Sequence, residues 1–211
     1  MTTVEKIAER FADRAVTRWK HTDLSVHEQT FVRDKPRDYL LACIELCKLI
    51  GASTIVEIGS MRQEMPHPID AFNPYCCNDG HSTAFWSWYL GEHASIYSVD
   101  INPNSGFVGQ LRGVDFVNRD GVDFCNGFGG KIDLLFLDAW DVVEGMPFAE
   151  KHLECFEAAR PKLAPKHIVC IDDIDVGDGG KGRLIIPKLV EDYGYFVVAN
   201  GRQAIFTNFN E

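Results

Sequence analysis

The 211-residue chain has no apolar run approaching the ~20 residues that a membrane-spanning helix requires, and it has no surplus of positive charge. Its 21 Lys and Arg are outnumbered by 31 Asp and Glu, a formal net charge of -10. Nucleic-acid backbones select for clustered cations, so a polyanion is excluded as the main partner. A small-molecule substrate is expected, with neither nucleic acid nor membrane. Low-complexity tracts are missing, as is any repeat at the roughly 20–50-residue period of solenoids. The amphipathic start MTTVEKIAERFADRAV carries Glu5, Glu9 and Asp13, unlike secretory signals and the acid-poor organellar leaders. Seven cysteines, at 43, 47, 76, 77, 125, 155 and 170, include no C-x-x-C pair. A reduced, cytoplasmic protein is the expectation. Adjacent Cys76 and Cys77, near His67 and His81, lack the ligand spacing of structural zinc.

What is present is a change of hydrophobic period. Residues 3 to 18 and 36 to 50 repeat their apolar side chains at helical spacing. Short apolar runs then read as strands: TIVEIG (54–59), SIYSVD (95–100), VDFVN (114–118), IDLLFLD (132–138), HIVCIDD (167–173), YFVVA (195–199) and QAIFTNF (203–209). Helical patterns lie between them near 80–91, 103–111, 146–163 and 180–193. This alternation predicts an α/β fold with a doubly wound, mostly parallel seven-stranded sheet. The last two strands are separated only by NGR, which fits a hairpin with Asn-Gly in a tight turn and makes the final strand antiparallel. One domain is expected over 51–211, preceded by N-terminal helices over 1–50 that offer a surface for a homodimer.

Ligands of an open parallel sheet bind beyond the carboxyl ends of the strands, where strand order reverses. The first strand ends in Glu57, Gly59 and Ser60, and the second in Asp100 followed by Asn102. After the third come Asp120 and Gly121; the fourth ends LDAWD at Asp138, and the fifth ends IDD at Asp172 and Asp173. An acid at the end of the second strand is placed to accept hydrogen bonds from ribose hydroxyls. The glycine turn after the first lets a ligand approach the backbone. GSMRQE, however, holds one glycine where the dinucleotide pattern GxGxxG needs three, so a pyrophosphate cradle is missing. Crowded carboxylates suit a nucleoside that carries positive charge.

VEIGS, YSVDINP, NRDGVDF, LDAWD and the terminal hairpin together resemble the class I S-adenosylmethionine-dependent methyltransferases over roughly residues 35 to 209. The resemblance implies a Rossmann-like fold and S-adenosylmethionine as cofactor. It implies that Glu57, Gly59 and Ser60 line the methionine and ribose portion, that Asp100 holds the ribose, and that Asp120 accepts from the adenine amino group. Asn102, Gly121 and Asp138 belong to the same cofactor-binding set. DGHST then resembles the small residues that open the first helix, adding Gly80 and Ser82 and leaving 61 to 78 as an insertion. Pro66, Pro68, Pro74, Phe72 and Tyr75 give that insertion restricted backbone and apolar surface, as in a lid or substrate wall.

Asp138, Asp172 and Asp173 would meet at the rim if their strands are neighbours, and such repulsion demands protons, a basic partner or a cation. The chain is similar here to metal-dependent O-methyltransferases of the catechol and macrolide-sugar types, which implies these three as metal ligands and catalytic residues, with Mg2+ or another divalent cation. Lys181 and Arg183 are the alternative partners. The glycine-rich DVGDGGKGRL (175–184) lacks the full GxxxxGK[ST] spacing of a phosphate loop. His81, His152 and Lys181 are general bases by residue type alone. A nicotinamide-dependent oxidoreductase and a non-catalytic binding module of the same fold are the competing readings.

Overall fold

The computed structural model describes residues 1–12, 36–61 and 81–211. The 62–78 part of the expected insertion, with Cys76, Cys77 and His67, lies outside the described residues, as do Gly80 and positions 13–18 of the first expected helix.

Helix α1 (Thr3–Ile7) is fixed by a capping box in which Thr2 and Glu5 exchange side-chain-to-backbone bonds. Helix α2 (Pro36–Ile50) buries Tyr39, Leu40, Cys43, Ile44 and Cys47 on one stripe. The strands follow as β1 (Thr54–Ile58), β2 (Ser95–Asp100), β3 (Val114–Asn118), β4 (Ile132–Leu137), β5 (Leu163–Ile171), β6 (Phe196–Asn200) and β7 (Ala204–Thr207). They form one sheet in the order β3-β2-β1-β4-β5-β7-β6, parallel except for β7, which is antiparallel to both β5 and β6. This is the expected doubly wound sheet with a C-terminal hairpin. Its turn is not the two-residue Asn-Gly form: Asn200 ends β6, and residues 201–203 make the connection, closed by Gly201 N–H donating to the Gln203 carbonyl.

Alternate residues of each buried strand face opposite layers. Ile55, Leu134, Phe136, Ile168 and Cys170 join α2 and α3 (Ser82–Leu90) on one side. Val56, Ile58, Leu135, Leu137, Val169 and Ile171 join α4 (Gly121–Gly127) and α5 (Phe148–Ala159) on the other. Because α2 shares a core with the central strands, it is a layer of the domain rather than an appendage. Two helical segments depart from expectation. Residues 103–110 form a 3-10 helix opened by Pro103, and the 180–193 pattern breaks into a 3-10 turn (Gly180–Gly182), the short α6 (Ile185–Pro187) and a π turn (Lys188–Asp192). Pro187 removes an amide from that last stretch, which prevents one continuous α-helix. β1 lies between β2 and β4, so strand order reverses at its carboxyl end.

Candidate active site

At that reversal the backbone is stitched tightly. Gly59 N–H donates to the Val99 carbonyl (2.9 Å), and Asp138 N–H to the Ile58 carbonyl (2.8 Å). Gly59 sits at φ 94, and a Cβ there would stand 2.5 Å from the Asp138 carbonyl oxygen. Only glycine lets β1 turn this close to β4. Ser60 N–H then donates to Asp100 Oδ2 (2.9 Å), and Asn102 N–H to Asp100 Oδ1 (2.8 Å), so the two turns aim one carboxylate. Asn102 in turn caps the 3-10 helix by accepting from Asn104 N–H (3.0 Å). Asp120 Oδ1 accepts from Val122 and Asp123 N–H, capping α4. Gly121 follows it because a Cβ would meet Ile58 Cγ2 at 2.4 Å.

These residues line a cavity of ≈ 340 Å³ that also takes in Ile101, Arg119, Asp138, Trp140 and Asp141. Of the sequence-predicted cofactor residues, Gly59, Ser60, Asp100, Asn102, Asp120, Gly121 and Asp138 therefore converge on one cleft. Glu57 does not line it. Its carboxylate is fully buried beneath the sheet and accepts from Thr83 Oγ1 (2.5 Å), Ser98 Oγ (2.8 Å) and Trp86 Nε1 (3.0 Å), anchoring α3. Burial pushes its pKa up, and the hydroxyl and indole donors oppose this. The expectation that Glu57 lines the ligand is corrected on this ground: strand alternation turns it toward the helix layer. Ser82 is buried in the same layer, outside the cavity lining.

The second cluster does form. Asp138, Asp172 and Asp173 each offer an oxygen within 4.8 Å of the others. They are not alone. Lys181 is 1% exposed, and its Nζ lies 2.6 Å from Asp138 Oδ1 and 3.1 Å from Asp173 Oδ2. Arg202, 2% exposed, approaches Asp172 Oδ1 (3.7 Å) and Asp173 Oδ1 (3.9 Å). Three carboxylates thus face two buried cations. Burial pushes Asp138 up to about 7, with Lys181 opposing and Asp172 and Asp173 adding to the rise. Burial alone would lower the Lys181 pKa, but Asp138, Asp173 and Asp172 outweigh it and hold the ammonium above its ordinary value.

Tested against a divalent ion, the donor set has the right chemistry and the wrong occupancy. Magnesium needs ligand oxygens at about 2.0–2.1 Å in a near-octahedral shell. An ion shared by Asp138 Oδ1 and Asp173 Oδ2 would lie against the Lys181 ammonium, which already bridges those two atoms. The residues do not fit a resident metal while Lys181 is in place.

The same geometry corrects the base candidates. Lys181 is locked as a cation, and its loop is no phosphate cradle, since its positive group points into carboxylates. Arg183 instead pairs with Glu150 at 3.5 Å near the surface. His81 opens α3 outside the cavity lining. His152 is fully buried, its Nδ1–H donating to the Phe148 carbonyl (2.7 Å) and its ring edge-on to Trp140 at 5.1 Å. Burial lowers its pKa from 6.5 to about 3, so it stays neutral in the fold. Unfolding releases it to take a proton, and its contribution is present above pH 6.5 and lost as pH falls toward 3. The expected loss is on the order of 4–5 kcal/mol across that window. Urea titrations of wild type and His152→Phe at successive pH values check this: the variant's curve should be flatter below pH 6.5.

Sequence reasoning missed Arg202 and Trp140. Arg202 reaches the cluster from the β6–β7 connection, and nothing local in NGRQ marks it as buried. Trp140 takes φ 46 in the turn that follows β4 and forms an apolar wall of the cleft. A bulky residue in the left-handed region is a strained position of the kind found at functional sites.

No protein-family model matches the chain, and no curated protein matches it. Solved structures do. The chain is similar to cofactor-bound Rv0187 from MTB, at 16% identity and TM-score 0.55, over 96% of this chain and 88% of that one. It is similar to the MycE methyltransferase of the mycinamycin biosynthetic pathway, solved with Mg and SAH, at 12% identity and TM-score 0.57, over 96% of this chain but only 52% of that one. It is also similar to apo CalS11, a TDP-rhamnose 3'-O-methyltransferase of calicheamicin biosynthesis, at 14% identity and TM-score 0.50, over 95% and 92%. At these identities the likeness is one of fold: the chain has the Rossmann-like fold that S-adenosylmethionine-dependent methyltransferases use. The chain spans about half the length of MycE.

Proposed function

We propose that the protein is an S-adenosylmethionine-dependent methyltransferase acting on an oxygen of a small hydroxylated molecule. The observation that carries this is the lining of the cleft. Among the described residues the lining carries Asp100, Asp120, Asp138 and Asp141 against one cation, Arg119, with Lys181 bonded to Asp138 from outside it, in a cavity of ≈ 340 Å³. That size suits a nucleoside-sized ligand. The charge repels a pyrophosphate and favours a cofactor bearing a sulfonium and an ammonium group. Exposed Ile101 and half-buried Trp140 supply apolar surface for a purine. The likeness to CalS11, a TDP-rhamnose 3'-O-methyltransferase, supports the choice of oxygen as acceptor.

In the reaction the acceptor oxygen forms a bond to the methyl carbon as the carbon–sulfur bond breaks. The thioether leaves with the bonding pair, and the hydroxyl proton goes to a base. The chain's part is to hold the two reactants in line. Asp138 faces the cleft and belongs to a cluster with one carboxylate more than it has cations, so it is the group placed to receive the proton. The Lys181 ammonium stands between Asp138 and Asp173, where the magnesium implied by resemblance would meet them.

Calorimetric titration with S-adenosylhomocysteine and, separately, NAD tests the reading. Saturable heat is expected with the first and none with the second. Tight NAD binding with no response to S-adenosylhomocysteine overturns it in favour of an oxidoreductase.

A further inference from the structure

The glycine-rich segment 179–182 has no role in the cofactor cleft, yet its backbone is unusually constrained. Gly179 and Gly180 take φ 82 and φ 47, and a Cβ on Gly180 would lie 1.8 Å from the Asp173 carbonyl oxygen. A Cβ on Gly182 would meet Ile186 Cδ1 at 2.7 Å and Ile174 Cγ2 at 2.8 Å. Both neighbours of Lys181 must therefore be glycine. The Lys181 N–H donates to the Asp173 carbonyl (3.3 Å), and Asp173 itself takes φ 49. The loop is wrapped on the acid cluster so that one side chain enters it.

That side chain is fully used. An ammonium has three N–H donors. Nζ donates to Asp138 Oδ1 at 2.6 Å and to the Asp138 carbonyl at 3.4 Å, and it pairs with Asp173 Oδ2 at 3.1 Å. At 1% exposure it has no solvated position to retreat to without unwrapping the loop. With Arg202 beside Asp172, two cations already balance most of the charge of three carboxylates.

We infer that Lys181 is the resident cation of the Asp138–Asp172–Asp173 cluster, so that this site works without a divalent metal. The occupancy stands on the geometry; its consequence rests on the methyl-transfer reading. A metal-dependent site requires two chelating oxygens on its acceptor. A site closed by an ammonium does not, so the acceptor needs a single hydroxyl directed at Asp138 rather than a vicinal pair.

The test is a Mn2+ titration of chelator-stripped full-length protein, with free Mn2+ read by electron paramagnetic resonance, with and without S-adenosylhomocysteine. Wild type is expected to show no saturable site at micromolar Mn2+, and S-adenosylhomocysteine affinity is expected to be the same with or without the ion. Lys181→Met is expected to gain Mn2+ binding by about tenfold or more, because the three carboxylates then lack their cation. One tight Mn2+ per wild-type chain, abolished by Asp138→Asn, overturns the inference, as does a folded Lys181→Met protein that gains nothing. Should Lys181→Met fail to fold, the wild-type titration decides alone. Failure of S-adenosylhomocysteine to bind a Mn2+-free wild type removes the methyl-transfer reading and leaves the resident cation standing.

Discussion

Lys181→Ala is expected to lower the unfolding free energy by about 3–5 kcal/mol, the cost of breaking a buried ion pair from one side. The magnitude follows from the charges that stay behind more than from the attraction that disappears. Asp138 and Asp173 would keep their places in the rim, because Asp138 N–H and the Asp173 backbone are held by strand and loop bonds. Their charges would then face each other and Asp172 with Arg202 as the nearby cation. Water cannot restore the balance cheaply where the departing side chain was 1% exposed. Adding Asp138→Asn should recover part of the loss, since it removes one of the stranded charges. Urea midpoints of the wild type, both single variants and the double variant close the cycle. A Lys181→Ala protein as stable as wild type would mean that the cluster is held by protons instead.

The sheet was legible because its signals are local. Period-2 apolar runs such as SIYSVD and VDFVN coincide with β2 and β3 residue for residue. The short NGR spacing compelled an antiparallel end. The convergence of Gly59, Asp100 and Asp138 was legible too, because parallel strands bring all their carboxyl ends to one rim. Two things were not. Helix α4 has seven residues with glycine at each end, too short to display a helical period, so the element was hidden although a capping role for Asp120 was an open alternative to its ligand role. Of the partners of the acid cluster, Lys181 was named beside Arg183, while Arg202 was hidden because pairing across a fold is non-local. Lys181 and Arg202 lie in separate turns, 43 and 30 residues from the acids they meet at Asp138 and Asp172. A sequence states that three carboxylates need a cation, but it does not state which one. Glu57 shows the converse: its place at the end of β1 was right, while its side chain, one residue out of phase with the rim, answers to Thr83, Trp86 and Ser98.

Asp100→Ala should produce the opposite profile from Lys181→Ala, with cofactor affinity lost and the fold kept. Asp100 Oδ2 and Oδ1 each take one backbone amide, from Ser60 and Asn102, and a carboxylate oxygen has a second lone pair. Two lone pairs on an oriented carboxylate match the two hydroxyls of a ribose, and hydrogen bonds to a charged group contribute roughly 1.5–3 kcal/mol each. Removal of both should weaken S-adenosylhomocysteine binding on the order of 100-fold or more. Stability should change little, because Asp100 and Ser60 are half-buried at the cleft and water can reach the amides that lose their acceptor. Asp100→Asn separates charge from shape: it retains one acceptor oxygen and should fall between wild type and Asp100→Ala. Calorimetry gives the affinities, and thermal unfolding without ligand gives the stability. If Asp100→Ala binds S-adenosylhomocysteine as tightly as wild type, the carboxylate serves only to hold its two turns together, and the nucleoside lies elsewhere.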